Sequence, residues 1–244
     1  MSMSATPSFQ PLYLQIKSLV EGGLARGEWQ PGEAIPSEML LASRYGVSQG
    51  TVRKAIDALA ADNLVVRRQG KGTFVATHTE ERASNFRFLR IRRSDGHDEV
   101  PASRLIDVRR AKASTEIARA LELKVGAAVL SIRRVLEYGR EPLLLDEIAL
   151  PAALFKGLNR AKLEAHRGSM YALFETQFGV RILRAREKLT AVAADRATAA
   201  ILKVEPGHPL LAVERVTLTY GDRPVEYRRG VCITRRHHYA NELG

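Results

Sequence analysis

The segment from Ile35 to Val75, IPSEMLLASRYGVSQGTVRKAIDALAADNLVVRRQGKGTFV, constrains this chain more than any other. Its signals run in the order helix, tight turn, helix, hairpin. Ser37 is placed to cap a helix, since its hydroxyl can accept from a backbone N–H that has no partner in the first turn. Behind it Leu40, Leu41 and Tyr45 recur at helical spacing. Gly46 gives the backbone freedom for a sharp turn. Ser48 is a second N-cap, and Val52, Ala55, Ile56 and Leu59 fall at i, i+3, i+4 and i+7, one buried stripe. The opposite face of that helix starts with Gln49, Gly50 and Arg53. Asn63 ends it. Leu64 to Val66 and Thr73 to Val75 predict two short strands, joined by a basic, glycine-bent tip of Arg67, Arg68, Gln69, Gly70, Lys71 and Gly72.

This arrangement suits a recognition helix. Its first turn can enter a major groove, with N-terminal amides and Arg53 toward phosphates and base edges. A cationic hairpin tip beside it suits a wing on the phosphate backbone. The competing reading is a common helix pair with a solvated turn. It leaves the order of cap, turn glycine, apolar stripe and basic hairpin without a reason.

The stretch Gly27 to Val75 resembles the DNA-binding domain of the GntR family of bacterial transcription regulators. The match rests on Pro31-Gly32, Ile35-Pro36-Ser37-Glu38, Leu41-Ala42, Gly46-Val47-Ser48, Thr51-Val52-Arg53 and Gln69 to Val75. The resemblance implies a winged helix-turn-helix over 9–76. It implies DNA contacts from Ser37, Glu38, Ser48, Gln49, Thr51, Arg53, Arg67, Gln69, Gly70 and Lys71. Gln49 stands where the family often has Arg, and Met39 where it often has a basic residue. The resemblance therefore carries the docking mode and not the base preference.

A chain of 244 residues has room for two domains. Its formal net charge of +11 favours a polyanionic partner. Charge does not locate the site: residues 1–78 hold eight basic and six acidic side chains, so most of the excess lies further along. The single cysteine, Cys232, excludes an intramolecular disulfide and a cysteine-based zinc site. No stretch approaches the roughly 20 apolar residues of a membrane span. The N-terminus lacks the apolar run of a signal peptide, and a cytoplasmic location is expected.

Met1 to Ser8 reads as a polar tail. Gln10 to Arg26 predicts a helix with Leu12, Ile16, Leu19, Val20 and Gly23 inward. Residues 77–100 read as a charged linker, with a possible short strand over Asn85 to Ile91. Beyond it the order strand, helix, hairpin, helix is read twice, with modest self-likeness. Arg104–Arg109, Thr115–Leu123 and the strands Ala128–Tyr138 and Pro142–Leu150 around Gly139-Arg140-Glu141 form the first copy. Arg181–Ala193, Asp195–Leu202 and the strands Leu210–Tyr220 and Pro224–Arg235 around Gly221-Asp222-Arg223 form the second. A further helix, Gly168 to Phe178, is capped by Ser169. The repeat predicts an α+β domain over 101–240, an antiparallel sheet with helices packed on it and internal pseudo-symmetry.

Pro101 to Tyr239 resembles the UTRA domain, the effector-binding half of the HutC subgroup, whose fold is like chorismate lyase. The match is carried by Leu130 to Arg134, Glu141-Pro142, Glu147, Leu150-Pro151, Ser169-Met170-Tyr171, Gly207, Arg215, Gly221, Pro224-Val225-Glu226 and His238-Tyr239. It implies effector contacts from Arg134, Glu147, Ser169, Tyr171 and Glu226. Arg134 offers a forked cation and Ser169 a helix start, both suited to an anion. The plain alternative is that Arg134 and Glu147 pair across their hairpin. Leu136 stands where many phosphosugar-binding members have a second Arg, and Cys232 where some have Tyr. A small organic acid with an apolar or aromatic body fits better. Strand alternation puts Arg228 on the face of Glu226, where it could replace the missing cation. His237 and His238, neighbours on a strand, point to opposite faces and suit one metal ion poorly; no metal or cofactor is expected.

The sequence thus reads as a ligand-responsive, homodimeric transcription repressor binding a pseudo-palindromic operator, released by an anionic small molecule, and not an enzyme. The rival reading is a small-molecule-binding protein or lyase-like enzyme with a vestigial DNA-binding domain.

Overall fold

A computed structural model describes residues 10–78, 90–96 and 101–241. The tail and the strand expected from Asn85 fall wholly or mostly outside these residues. The chain divides into two compact units between Thr77 and His78.

The first unit holds α1 (Leu12–Ala25), α2 (Glu38–Tyr45), α3 (Gln49–Ala61), β1 (Val65–Arg68) and β2 (Gly72–Val75). Both serine caps form: Ser37 Oγ accepts from Leu40 N at 3.3 Å and Ser48 Oγ from Thr51 N at 3.2 Å. Gly46 ends α2 in the left-handed region at φ 65°, which is what lets α3 start three residues later. Val52, Ala55, Ile56 and Leu59 are all buried against Leu41 and α1. On α1 the buried stripe is Ile16, Val20, Gly23 and Leu24. Leu12 and Leu19 lie at its edge and stay about half exposed, so Leu24 takes the inward place expected of them. The strands form an antiparallel hairpin, and Ala34 adds a bridge to Phe74.

The second unit is built on a six-stranded antiparallel sheet. Its strands are β4 (Ala102–Lys112), β5 (Ala128–Tyr138), β6 (Glu141–Pro151), β7 (Arg184–Ala193), β8 (Pro209–Leu218) and β9 (Pro224–Cys232), in the order β4-β5-β6-β9-β8-β7. That order reads the same from either edge, so the expected repeat is a pseudo-twofold. The two short helices, α4 (Thr115–Leu121) and α7 (Arg196–Leu202), are capped alike by Ser114 and Asp195 and end alike in left-handed Glu122 and Lys203. Each packs on the other copy's return strand: α4 on β9 and α7 on β6. Both lie over one face, where Val135, Leu145 and Val231 meet α7, and Val129, Ala149 and Tyr227 meet α4.

The other face is covered by α6 (Met170–Phe178), whose Tyr171 and Phe174 pack on Leu130, Ile132, Ile148 and Leu150. A turn-rich passage with α5 (Arg160–Ala165), not foreseen from the sequence, leads into it. A ribbon of β3 (Ile91–Arg93) and β10 (His237–Tyr239) completes that face, with Ile91 and Tyr239 packed on Leu136, Leu144 and Cys232. Part of the segment read as linker therefore belongs to this domain. His78 does too: its backbone N donates to Glu175 at 3.0 Å, and its ring contacts the Ile182 carbonyl at 2.7 Å.

Candidate functional site

In the first unit the capped start of α3 presents Gln49, Gly50 and Arg53 to solvent, with Thr51 half-buried beside them. Ser48 and Thr51 also join their hydroxyls at 2.9 Å. Glu38, the first residue of α2, gathers the cations around this helix start. Its carboxylate accepts from Arg53 at 3.0 Å, pairs with Arg67 at 3.1 Å and receives the Gln49 amide at 3.4 Å. Burial alone would push the Glu38 carboxyl up. The Arg53 hydrogen bond and charge, with help from Arg67 and Gln49, hold it below its ordinary value.

The hairpin tip is narrower than expected. Arg67 and Arg68 are strand residues; the turn itself is Gln69, Gly70 and Lys71, closed by Lys71 N on Arg68 O at 2.9 Å. Arg67 also pairs with Asp57 of α3 at 2.8 Å, and the Arg68 guanidinium lies over the Phe74 ring. Gln69, Gly70 and Lys71 are exposed at the tip. A cation on each of two adjoining elements and a helix N-terminus between them can grip a phosphate backbone.

In the second unit, four of the six expected effector contacts meet on the α6 face of the sheet. Tyr171 donates to Glu226 Oε1 at 2.9 Å. Arg228 grips Glu226 with both Nε and Nη2 at 3.0 Å and reaches Asp146 at 3.1 Å. Arg134 completes the chain on Asp146 at 3.0 Å and touches the Ser103 hydroxyl at 3.4 Å. Asp146 and Glu226 are 2% and 0% exposed, so these charges are carried by one another rather than by water. Gly230 lies opposite Asp146, and a Cβ there would meet its Oδ1 at 3.0 Å.

The local electrostatics follow. Burial and the nearby charge of Arg228 pull the Arg134 guanidinium below its ordinary value, against Asp146. For Arg228 burial acts downward too, but Glu226 and Asp146 outweigh it and hold the group well above its ordinary value. Burial, reinforced by the Glu226 charge, pushes the Tyr171 hydroxyl up to about 12.

Ser169 stands where expected, at the start of α6, accepting from Ala172 N at 3.1 Å. Glu147 does not join the cluster. It points to the other face, half exposed, and pairs with Arg133 at 3.2 Å; the pairing with Arg134 considered above is made by Asp146 instead. The sequence reading also missed Glu187, which holds Arg215 at 2.5 Å and receives the Tyr239 hydroxyl, and Thr217, whose buried Oγ1 has no hydrogen-bond partner among the described residues. In the sequence Arg215 and Tyr239 serve only as marks of resemblance. The signal for Arg215 was the repeat: it occupies the place of Arg134 in the second copy, opposite Arg228 as Arg134 is opposite Asp146. Among the described residues no group of three or more His, Cys, Asp or Glu is placed to hold a metal ion.

Comparison with known proteins places both units. The profile described as "Bacterial regulatory proteins, gntR family" matches residues 12–75, and that of the UTRA domain matches 96–238. The chain is 31% identical over 240 residues to a protein of Escherichia coli K12 named as the probable transcriptional repressor of a fructoselysine utilization operon, covering 96% of each. It is 30% identical over 238 residues to the transcriptional repressor NagR of Bacillus subtilis, again over 96% of each. Among solved structures, the ligand-binding domain of a protein from Bordetella bronchiseptica assigned to the GntR family aligns with a TM-score of 0.62 and 46% identity, over 66% of this chain and 99% of that one.

Proposed function

This chain belongs to the gntR family of bacterial regulatory proteins, with a UTRA domain following its DNA-binding domain, and on that premise we propose how its two sites work. It is a ligand-responsive, DNA-binding repressor. We place its operator contacts at Ser37, Glu38, Ser48, Gln49, Thr51 and Arg53 and at Arg67, Gln69, Gly70 and Lys71. It acts as a homodimer, each subunit reading half of a pseudo-palindromic operator, since two-fold symmetry in the protein imposes it on the DNA. It works in the cytoplasm and catalyses no reaction; the relatives' names as repressors support this.

We place the effector site at the chain Arg134–Asp146–Arg228–Glu226–Tyr171, beside the start of α6, where Met170 and Tyr171 meet Arg228 and Glu226. The observation that carries this is the burial of two arginine–carboxylate pairs side by side on the α6 face of the sheet, joined to one another through Arg228 and Asp146. Both cations already have carboxylate partners. A bare anion would have to displace one, so the fitting ligand is a small organic acid that also carries hydroxyl or amine donors for the freed carboxylate. Side chains fill the site: the cavity between Asp146, Arg215, Arg228 and Tyr239 is about 30 Å³, far below the roughly 300 Å³ of a small ligand site. Binding therefore moves Arg228 or the β3–β10 ribbon.

A thermal-shift screen of hydroxy and amino acids on the full chain tests the reading, because a ligand of the folded state raises the melting temperature. A hit must also lower operator affinity in a gel shift. Hits that leave DNA binding untouched would refute the effector role.

A further inference from the structure

The second domain has a larger cleft that the charge cluster does not use. It lies at the turn end of the β5–β6 hairpin, between that hairpin, the Ile233–Arg236 connection and the Arg93–His237 end of the ribbon. Its volume is about 560 Å³. Buried Leu143 lies on its wall. The rings of Tyr138 and His237 stack there, with centroids 5.5 Å apart and planes within 5°.

Its polar groups are unevenly used. Arg93 is held by Asp95. Arg235 and Arg236 are exposed, and neither side chain has a hydrogen bond or ion pair among the described residues. His237 Nε2 is buried and has no hydrogen-bond partner among them either. Such a group in a folded protein calls for a reason. Burial, with the Arg93 charge, holds the His237 ring below its ordinary value, so it is neutral near pH 7 and can make one hydrogen bond at that nitrogen. Glu141 lines the same cleft as an acceptor.

We infer that this cleft binds a small molecule with a planar ring and a phosphate group. The guanidinium groups of the neighbouring residues Arg235 and Arg236, both lining the cleft and without an ion pair among the described residues, match the several oxygens of one phosphate. The Tyr138–His237 stack offers a flat support for a ring. Glu141 favours a ring that carries an amino or hydroxyl donor. The site is separate from the Arg134–Asp146–Arg228 cluster, and its occupancy does not depend on what that cluster binds.

Calorimetry on the full chain decides it, with AMP and phenyl phosphate as probes and adenosine and inorganic phosphate as controls. The expected result is that AMP binds, and that adenosine and phosphate each bind at least about tenfold more weakly, since each lacks half of the recognised chemistry. The Arg235→Ala/Arg236→Ala variant should lose about tenfold or more in AMP affinity with an unchanged melting temperature, because both side chains are exposed. Tyr171→Phe and Arg53→Ala should bind AMP like wild type. The proposal is overturned if neither AMP nor phenyl phosphate binds, if inorganic phosphate binds as well as AMP, or if the double variant binds like wild type. Loss of binding in Arg53→Ala would assign the phosphate to the winged domain and also overturn it.

Discussion

Arg134 meets Asp146 across β5 and β6 because Leu143 is an extra residue in the return strand. The hairpin turns on Gly139 and Arg140, both at positive φ, and closes as Tyr138 opposite Glu141 and Glu137 opposite Pro142. The pairing then jumps to Leu136 opposite Leu144. Without that bulge Arg134 would oppose Leu145, and Glu147 would share its face. One inserted residue reverses every later side chain of the return strand, so Asp146 turns in and Glu147 turns out. The second copy repeats the device: Thr217 pairs with Glu226 and Leu218 with Pro224, passing over Val225. Each bulge follows a proline, Pro142 or Pro224, and sets the face of the charges beyond it.

Asp146→Ala should therefore be severe. Asp146 is the shared partner of Arg134 and Arg228, and its loss leaves Arg134 a buried cation without its carboxylate beside Arg228, which keeps Glu226. The cost expected is about 3–5 kcal/mol, as for a broken buried pair. Glu147→Ala removes only a half-exposed pairing with Arg133 and should cost under about 1 kcal/mol. Urea unfolding of the full chain measures both; equal effects would contradict the register.

The proposed DNA surface gives two separable outcomes. Arg53→Ala should weaken operator binding by ~1–3 kcal/mol without unfolding the domain, since Arg53 lies on the exposed face of α3. Lys71→Ala should weaken specific and non-specific binding alike and lower the salt slope by about one ion. Salt-dependent titrations decide each. A change of sequence preference with the slope unchanged would make Lys71 a base reader instead.

Glu38 should make the winged domain acid-sensitive. Its carboxyl lies lower in the fold than the ordinary 4.5 of the unfolded chain. A depressed carboxylate stabilises the fold above the unfolded value, and that contribution fades as pH falls through the folded one. Glu38→Gln removes this dependence. Wild type should exceed the variant in melting temperature near neutral pH, and the gap should close below about pH 4.5. A gap constant from neutral pH to about 3 would show that Glu38 does not act through its charge.

Much of this was legible in local chemistry. The caps at Ser37, Ser48 and Ser169, the turn at Gly46 and the stripe on α3 are decided by residues within one or two turns of each other. Tyr171, Glu226 and Arg228 were placed by a family likeness and by strand alternation, which survives between bulges. Glu147 failed because a bulge leaves no clear mark in the alternation of apolar residues: Leu143, Leu144 and Leu145 are all buried. The β3–β10 ribbon was hidden for a different reason. Three-residue strands carry little pattern, and Ile91 finds Tyr239 only through tertiary packing.

The last prediction concerns coupling between effector and operator. A ligand lowers DNA affinity only so far as it binds more tightly to the state that holds DNA poorly. Two quantities are then independent. The concentration needed for release reports affinity at the proposed effector site, and the extent of release at saturation reports the difference between states. Arg134 sits at the end of the charge chain and Asp146 keeps Arg228 when it is gone. Arg134→Lys, which keeps the charge and loses the fork, should move the release curve to higher effector concentration. It should leave the plateau, about 5–150-fold in operator affinity, and the effector-free affinity unchanged. Tyr171→Phe frees Glu226 from one hydrogen bond and should act in the same way but more weakly. Operator titrations of wild type and both variants across effector concentration read the two quantities separately. A lowered plateau at an unchanged midpoint would show that Arg134 carries the conformational change rather than the ligand, and Arg228 would then become the anion-binding group.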